Sequence, residues 1–219
     1  MKRYDTKRLV TLGMLSALAY IAVVIIRIPM VSFLSYEPKD VILAISAFLF
    51  GPLSGLCVTV VVSLVEMVTI SETGWIGLIM NILSSGMFVG VSALIYKRLH
   101  TLKGAVIGLI VGTISMTAMM LLWNYLITPL YMGVERETVA AMLATVFLPF
   151  NLVKGTINAA LTMLLYKPVA KGLRAAHLAP ESKGAEKKQG FSAGVIIVSL
   201  LILATVILIV LVMQGKLGN

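Results

Sequence analysis

Asn151, Lys154 and Asn158 fall at i, i+3 and i+7 of an otherwise apolar stretch, Phe147-Leu148-Pro149-Phe150-Asn151-Leu152-Val153-Lys154-Gly155-Thr156-Ile157-Asn158. In a helix that spacing stacks the three polar side chains on one face. A cation inside a membrane span costs about 2.5–3.5 kcal/mol on insertion scales, so it faces a protein interior, a cavity or a partner and marks function by default. Asparagine offers both a donor and an acceptor and lysine three donors, a set that suits a flat ligand edge alternating carbonyls with N–H groups. Asn81 and Asn124 add further amides in neighbouring apolar runs. The alternative is that these groups bridge helices through hydrogen bonds worth about 0.6 kcal/mol each. For Asn81 and Asn158 the two readings stay open, whereas a lysine is a costly glue and favours a ligand role.

The elements that must position these residues are membrane helices. Of 219 residues 59% are hydrophobic and only 12% charged, against about 25% charged in an ordinary soluble domain. That length accommodates six or seven spans of about 20 residues and no separate soluble domain. Spans are expected at 9–26, 41–50, 53–70, 75–95, 104–130 and 149–166, the fourth interrupted near Asn81 and the sixth started or kinked by Pro149. A loop is expected from Met30 to Asp40, a tight turn at Gly51-Pro52, and a polar hairpin over 131–138. Residues 7–173 form the six-span unit, the polar basic segment 174–191 reads as a linker, and 192–214 holds an apolar run long enough for a seventh span. The expected fold is thus all-α, a polytopic membrane bundle of six spans plus a seventh.

The net charge of +9 raises nucleic-acid binding, but its distribution argues for a bilayer. With the N-terminus in the cytoplasm, Lys2, Arg3, Lys7, Arg8, Lys97, Arg98, Lys103, Lys167, Lys171, Arg174, Lys183, Lys187 and Lys188 share the inner side, and Arg27, Lys39, Arg136 and Lys216 the outer. Thirteen against four is positive-inside placement in a multi-pass cell-membrane protein. Glu37, Asp40, Glu72, Glu135 and Glu137 gather outside with Glu66 one turn below, and Lys154 lies in the outer half of the sixth span.

Other residues carry weaker signals. In Ser32-Phe33-Leu34-Ser35-Tyr36-Glu37-Pro38-Lys39-Asp40, aromatics mix with charge; Asp40 reads best as a cap of the second helix, and Phe33, Leu34 and Tyr36 as either a lid or an interfacial belt. Glu66 reads better as snorkelling to the surface than as paired inside the bundle. Gly13 and Ala17 form a small-xxx-small pair that suits helix packing or a docking partner. Cys57 reads as small-residue packing, the scattered methionines as core filling, and His100 and His177 as non-catalytic. One cysteine allows no internal disulfide, and no metal-ligand spacing is present. Without a G-x-x-x-x-G-K-[ST] loop, an H-E-x-x-H pair or a nucleophile elbow, the chain is expected to be no enzyme, and energy for any transport must come from a partner or a gradient.

Three stretches carry a family resemblance: Tyr36-Glu37-Pro38-Lys39-Asp40 running into Ala47-Phe48-Leu49-Phe50-Gly51-Pro52-Leu53-Ser54-Gly55; Gly77-Leu78-Ile79-Met80-Asn81-Ile82-Leu83-Ser84-Ser85; and Leu148-Pro149-Phe150-Asn151-Leu152-Val153-Lys154-Gly155. In this order they resemble the riboflavin-specific substrate-binding (S) component of energy-coupling factor (ECF) vitamin transporters, over about 7–173. The resemblance implies a six-helix bundle that captures riboflavin from outside as transported ligand, with no cofactor. It then meets a transmembrane coupling subunit and two cytoplasmic ATPases. Asn124, Asn151 and Lys154 would contact the isoalloxazine ring, the loop from Leu34 through Tyr36 to Asp40 would close over the pocket, and Gly13 and Ala17 would meet the coupling subunit. The seventh span departs from the family. Two other readings stay open: an S component for a different vitamin, and a structural membrane protein whose Asn151 and Lys154 only bridge helices.

Overall fold

The computed structural model describes residues 3–31, 34–181 and 193–213. Helix α1 (Arg3–Ile25) leads into a two-stranded antiparallel ribbon, β1 (Ile28–Val31) and β2 (Leu34–Tyr36). Then follow α2 (Lys39–Phe50), α3 (Pro52–Thr69), α4 (Gly74–Leu99), α5 (Leu102–Met132), α6 (Arg136–Met142), a π-helical turn (Leu143–Phe147), α7 (Leu148–Ala175) and α8 (Ala193–Met213). Among the described residues six helical segments are long and apolar enough to cross a membrane: α1, α3, α4, α5, the continuous run 136–175, and α8. The chain is a multi-pass membrane protein.

The exception is α2. Its 12 residues span about 18 Å at 1.5 Å per residue, short of a bilayer's ~30 Å core. It is buried from Lys39 to Leu49 except at the half-buried Ile42. Around α2 the core is built from Leu43, Ala44 and Ala47 against Val58 and Val62 of α3, Phe88 and Val89 of α4, and Leu109 and Met116 of α5.

Lipid tails are as apolar as leucine, so helices in a membrane are held by close packing rather than by hydrophobic expulsion. The α4–α5 crossing depends on it: a Cβ on Gly112 would stand 2.7 Å from the Phe88 carbonyl oxygen. Gly155 likewise lets α7 approach Thr113 of α5, which brings the polar face of α7 opposite that of α5. At Gly51 a φ of 95° makes the reversal between α2 and α3, with Pro52 preset for the first helical turn.

Several expectations are corrected. Much of the stretch expected as a loop is the β-ribbon, pairing Ile28 with Tyr36, Pro29 with Ser35 and Val31 with Leu34 across an irregular register; Pro29 is tolerated because both strands of a two-stranded ribbon are edge strands. Helix α4 runs unbroken through Asn81. The polar hairpin shrinks to a turn at Gly133, and α6 joins α7 through the π turn. Pro149 has no N–H for the Thr145 carbonyl four residues back, and the wide turn absorbs that mismatch without breaking the span. Cys57 is exposed on the outer face of α3 rather than packed. Of the expected linker, 182–191 lies outside the described residues, as do residues 192 and 214 of the expected seventh span and Phe33.

Candidate functional site

At the ribbon end of the bundle a cavity of about 260 Å³ opens between the ribbon, α3, α4, α5 and α7. This is just below the ~300–1,000 Å³ common for small-molecule sites. Met80, Trp123, Ile127 and Phe150 supply apolar walls, and Asn81, Asn124, Asn151 and Lys154 polar ones. Leu34, Ser35 and Glu37 of the ribbon segment line it from above.

Asn124 and Asn151 are each held by their own helix. The Asn124 Nδ2 donates to the Met120 carbonyl at 2.7 Å and the Asn151 Nδ2 to the Phe147 carbonyl at 2.8 Å. Thr128 Oγ1 donates to Asn124 Oδ1 at 2.8 Å. These bonds fix both side chains beside the cavity, and an amide NH2 has a second proton to give.

Behind the polar wall lies a buried network around Asp40. Its Oδ2 receives Asn158 Nδ2 at 3.1 Å and faces Lys154 Nζ at 3.6 Å, while its Oδ1 receives the Ser85 hydroxyl. Tyr36 closes the circuit by donating its hydroxyl to Asn158 Oδ1 at 2.9 Å. Burial first, and the Asp40 carboxylate second, holds the Tyr36 hydroxyl well above the usual tyrosine range, so it remains a protonated donor. The ribbon, α2, α4 and α7 are thereby tied together at one depth.

A second network flanks the first. Lys39, 1% exposed, pairs with Glu66 Oε2 and lies 3.4 Å from Glu37 Oε2. Asn81 Nδ2 donates to Glu66 Oε2 at 2.8 Å, and Arg27 Nε stands 3.6 Å from Glu37 Oε1. Across both networks three carboxylates, of Glu37, Asp40 and Glu66, balance three cations, Arg27, Lys39 and Lys154. Neutralisation is what allows ions at this depth, since an uncompensated buried charge costs several kcal/mol.

Of the residues singled out in the sequence, Leu34, Asn81, Asn124, Asn151 and Lys154 meet at the cavity. Tyr36, Asp40 and Asn158 stand behind it, and Asn158 bridges helices. The expected capping role of Asp40 is corrected: Pro38 occupies the cap position and no side chain caps α2. The surface reading of Glu66 is also corrected, because it is 3% exposed and bound to Lys39. Lys39 and Ser85 were not anticipated; the unpaired look of Glu66 in an apolar run was the available signal for a buried cation near it. Gly13 and Ala17 sit on the exposed face of α1, with nothing within 4 Å of a Cβ placed on Gly13.

Fold and site together define an integral-membrane helix bundle with a ligand-sized, polar-walled cavity at one end. A family model for the substrate-specific component of ECF transporters matches residues 7–166. The riboflavin transporter FmnP of Bacillus subtilis is 26% identical over 187 residues, covering 78% of this chain and 98% of that protein. The riboflavin transporter RibU of Staphylococcus aureus is 31% identical over 178 residues, covering 78% and 94%. A solved S component of a bacterial ECF transporter superposes with a TM-score of 0.66 at 30% identity, covering 78% of this chain and 99% of that one. The chain belongs to the family of substrate-specific components of ECF transporters.

Proposed function

We propose that this protein is the riboflavin-binding specificity subunit of an ATP-driven ECF importer. The observation that carries the reading is the convergence of Asn124, Asn151 and Lys154, from two helices, on one cavity walled by Trp123 and Phe150. The isoalloxazine ring has apolar faces and a pyrimidine edge with an imide N–H between two carbonyls. The amides match that edge, and the lysine reinforces a carbonyl with a charge-assisted hydrogen bond. Ribityl hydroxyls need acceptors as well as donors. Glu66 Oε1, buried and without a hydrogen-bond partner among the described residues, lies in the same cavity wall and serves as one.

No bond is made or broken in this role. The ribbon end faces outward and the N-terminus lies in the cytoplasm, a reading supported by the lysine and arginine distribution. The exposed Gly13 and Ala17 face meets the transmembrane coupling subunit, through which two cytoplasmic ATPases drive release inward. Selectivity for riboflavin over other vitamins is supported by the named relatives, which are riboflavin transporters.

Quenching of flavin fluorescence by the purified protein tests the proposal. Saturable quenching at micromolar riboflavin is expected, with riboflavin carried through purification. Absence of quenching, with a different vitamin recovered from the preparation, moves the protein to another ligand; absence of any ligand leaves the structural reading.

A further inference from the structure

Helix α8 lies beyond the residues matched by the family model, and its placement is uneven. Ser199, Leu203, Val206 and Val210, spaced four, three and four residues apart, face the bundle, whereas Leu200, Ile207 and Leu208 are turned outward. Ser199 is 4% exposed beside an apolar crevice, and a second contact lies at the ribbon end. There Val206, 5% exposed, and Val210 join a cluster with Met30 of β1, Tyr36 of β2, and Phe150 and Val153 of α7. Toward the other end α8 stands away from α5 and α7, leaving the crevice, of about 570 Å³, between Ile110, Met163, Val198 and Ile202.

Phe150 and Val153 alternate along α7 with Asn151 and Lys154, and Met30 lies on the strand paired with the one that carries Leu34 over the cavity. A side chain from α8 therefore packs on the back of both the cavity wall and its cover. We infer that α8 is a buttress for the ribbon, with Val206 and Val210 as positioning residues that hold the cover over bound ligand and set how long it stays. The inference rests on the riboflavin reading of the cavity. Van der Waals packing is the force available between helices in lipid, so loss of these methyl groups weakens the hold on the ribbon without touching a polar contact.

The test uses the full chain. Bound riboflavin is released by dilution, and the dissociation rate is read from recovery of flavin fluorescence for wild type, V206A/V210A, and the lipid-facing control L200A/L208A. V206A/V210A is expected to release riboflavin roughly three- to ten-fold faster, in line with loss of buried methyl groups, and the control at the wild-type rate. Met30→Ala should also speed release, and its combination with V206A/V210A should add less than the sum of the two effects, which a general loss of stability does not produce. If the double variant does not accumulate, Val206→Ala alone is measured in the same way. Wild-type quenching with unchanged release from the α8 variants overturns the buttress and leaves the riboflavin reading intact. A wild-type protein that does not quench fails that reading instead.

Discussion

Asp40, on the first turn of α2, and Lys154, in α7, face each other across 3.6 Å, the acid fully buried and the lysine at the cavity wall. Lys154 thus has a structural partner as well as an open side toward the cavity. A lysine held by an anion behind it presents its remaining protons in a fixed direction, an arrangement that preorganises it for a ligand carbonyl. The single substitution therefore mixes two effects.

Lys154→Met should weaken riboflavin binding by at least about ten-fold, the loss of one charge-assisted hydrogen bond, and lower the detergent melting temperature as well because Asp40 loses its counter-ion. Asp40→Asn combined with Lys154→Met should recover much of the melting temperature but none of the affinity. Titration by flavin quenching and thermal unfolding on the same preparations separate the two. Recovery of affinity in the double variant would show that the lysine acts only on the fold.

Lys39→Met leaves Glu66 and Glu37 without their buried cation. Removal of one partner of a buried ion pair costs about 3–5 kcal/mol, so the variant should unfold at much lower temperature or fail to accumulate. Adding Glu66→Gln should restore part of that loss, because the amide keeps the shape and carries no charge. An unchanged melting temperature in Lys39→Met would mean that the pair is not desolvated in the bilayer.

Tyr36→Phe deletes one hydroxyl and leaves Asn158 Oδ1 unmatched in a buried place, at a cost of about 1–3 kcal/mol. Since that bond ties the ribbon to α7, riboflavin should leave faster, by roughly five-fold or more on that scale. Stopped-flow dissociation measures it, and an unaltered rate would remove the ribbon tether from the account.

Two glycines should respond in opposite ways. Gly112→Val drives a side chain into the Phe88 carbonyl and should prevent normal folding, whereas Gly13→Val meets open space and should leave melting temperature and riboflavin quenching unchanged. On the reading of α1 as the docking face, Gly13→Val should nonetheless reduce co-purification with the coupling subunit and riboflavin uptake by cells. Normal uptake would place the partner elsewhere.

Much of this was legible from the residues in order. A window of apolar side chains is a local property, so the long spans, the turn at Gly51-Pro52 and the added helix at the C-terminal end could be read directly. Helical spacing alone put Asn151, Lys154 and Asn158 on one face. The ribbon was missed because two strands of four and three residues carry too short an alternation to stand out from a loop.

What the linear chain determined by itself, then, is that a lysine lies among apolar residues and has to be compensated. Which group compensates it was decided only by the folded chain. Asp40 and Asn158 are 118 residues apart in sequence and Lys39 and Glu66 are 27 apart, and the second pair meets where α3 packs closely on α2, with Gly55 set against Ala47. Tertiary packing divided the polar face of α7, leaving Asn151 and Lys154 at the cavity and turning Asn158 inward to Asp40 and Tyr36. The physical reason is one of distance: electrostatic and hydrogen-bond partners are chosen over a few ångströms of space, and in a helical bundle such neighbours come from helices that the sequence orders but does not place.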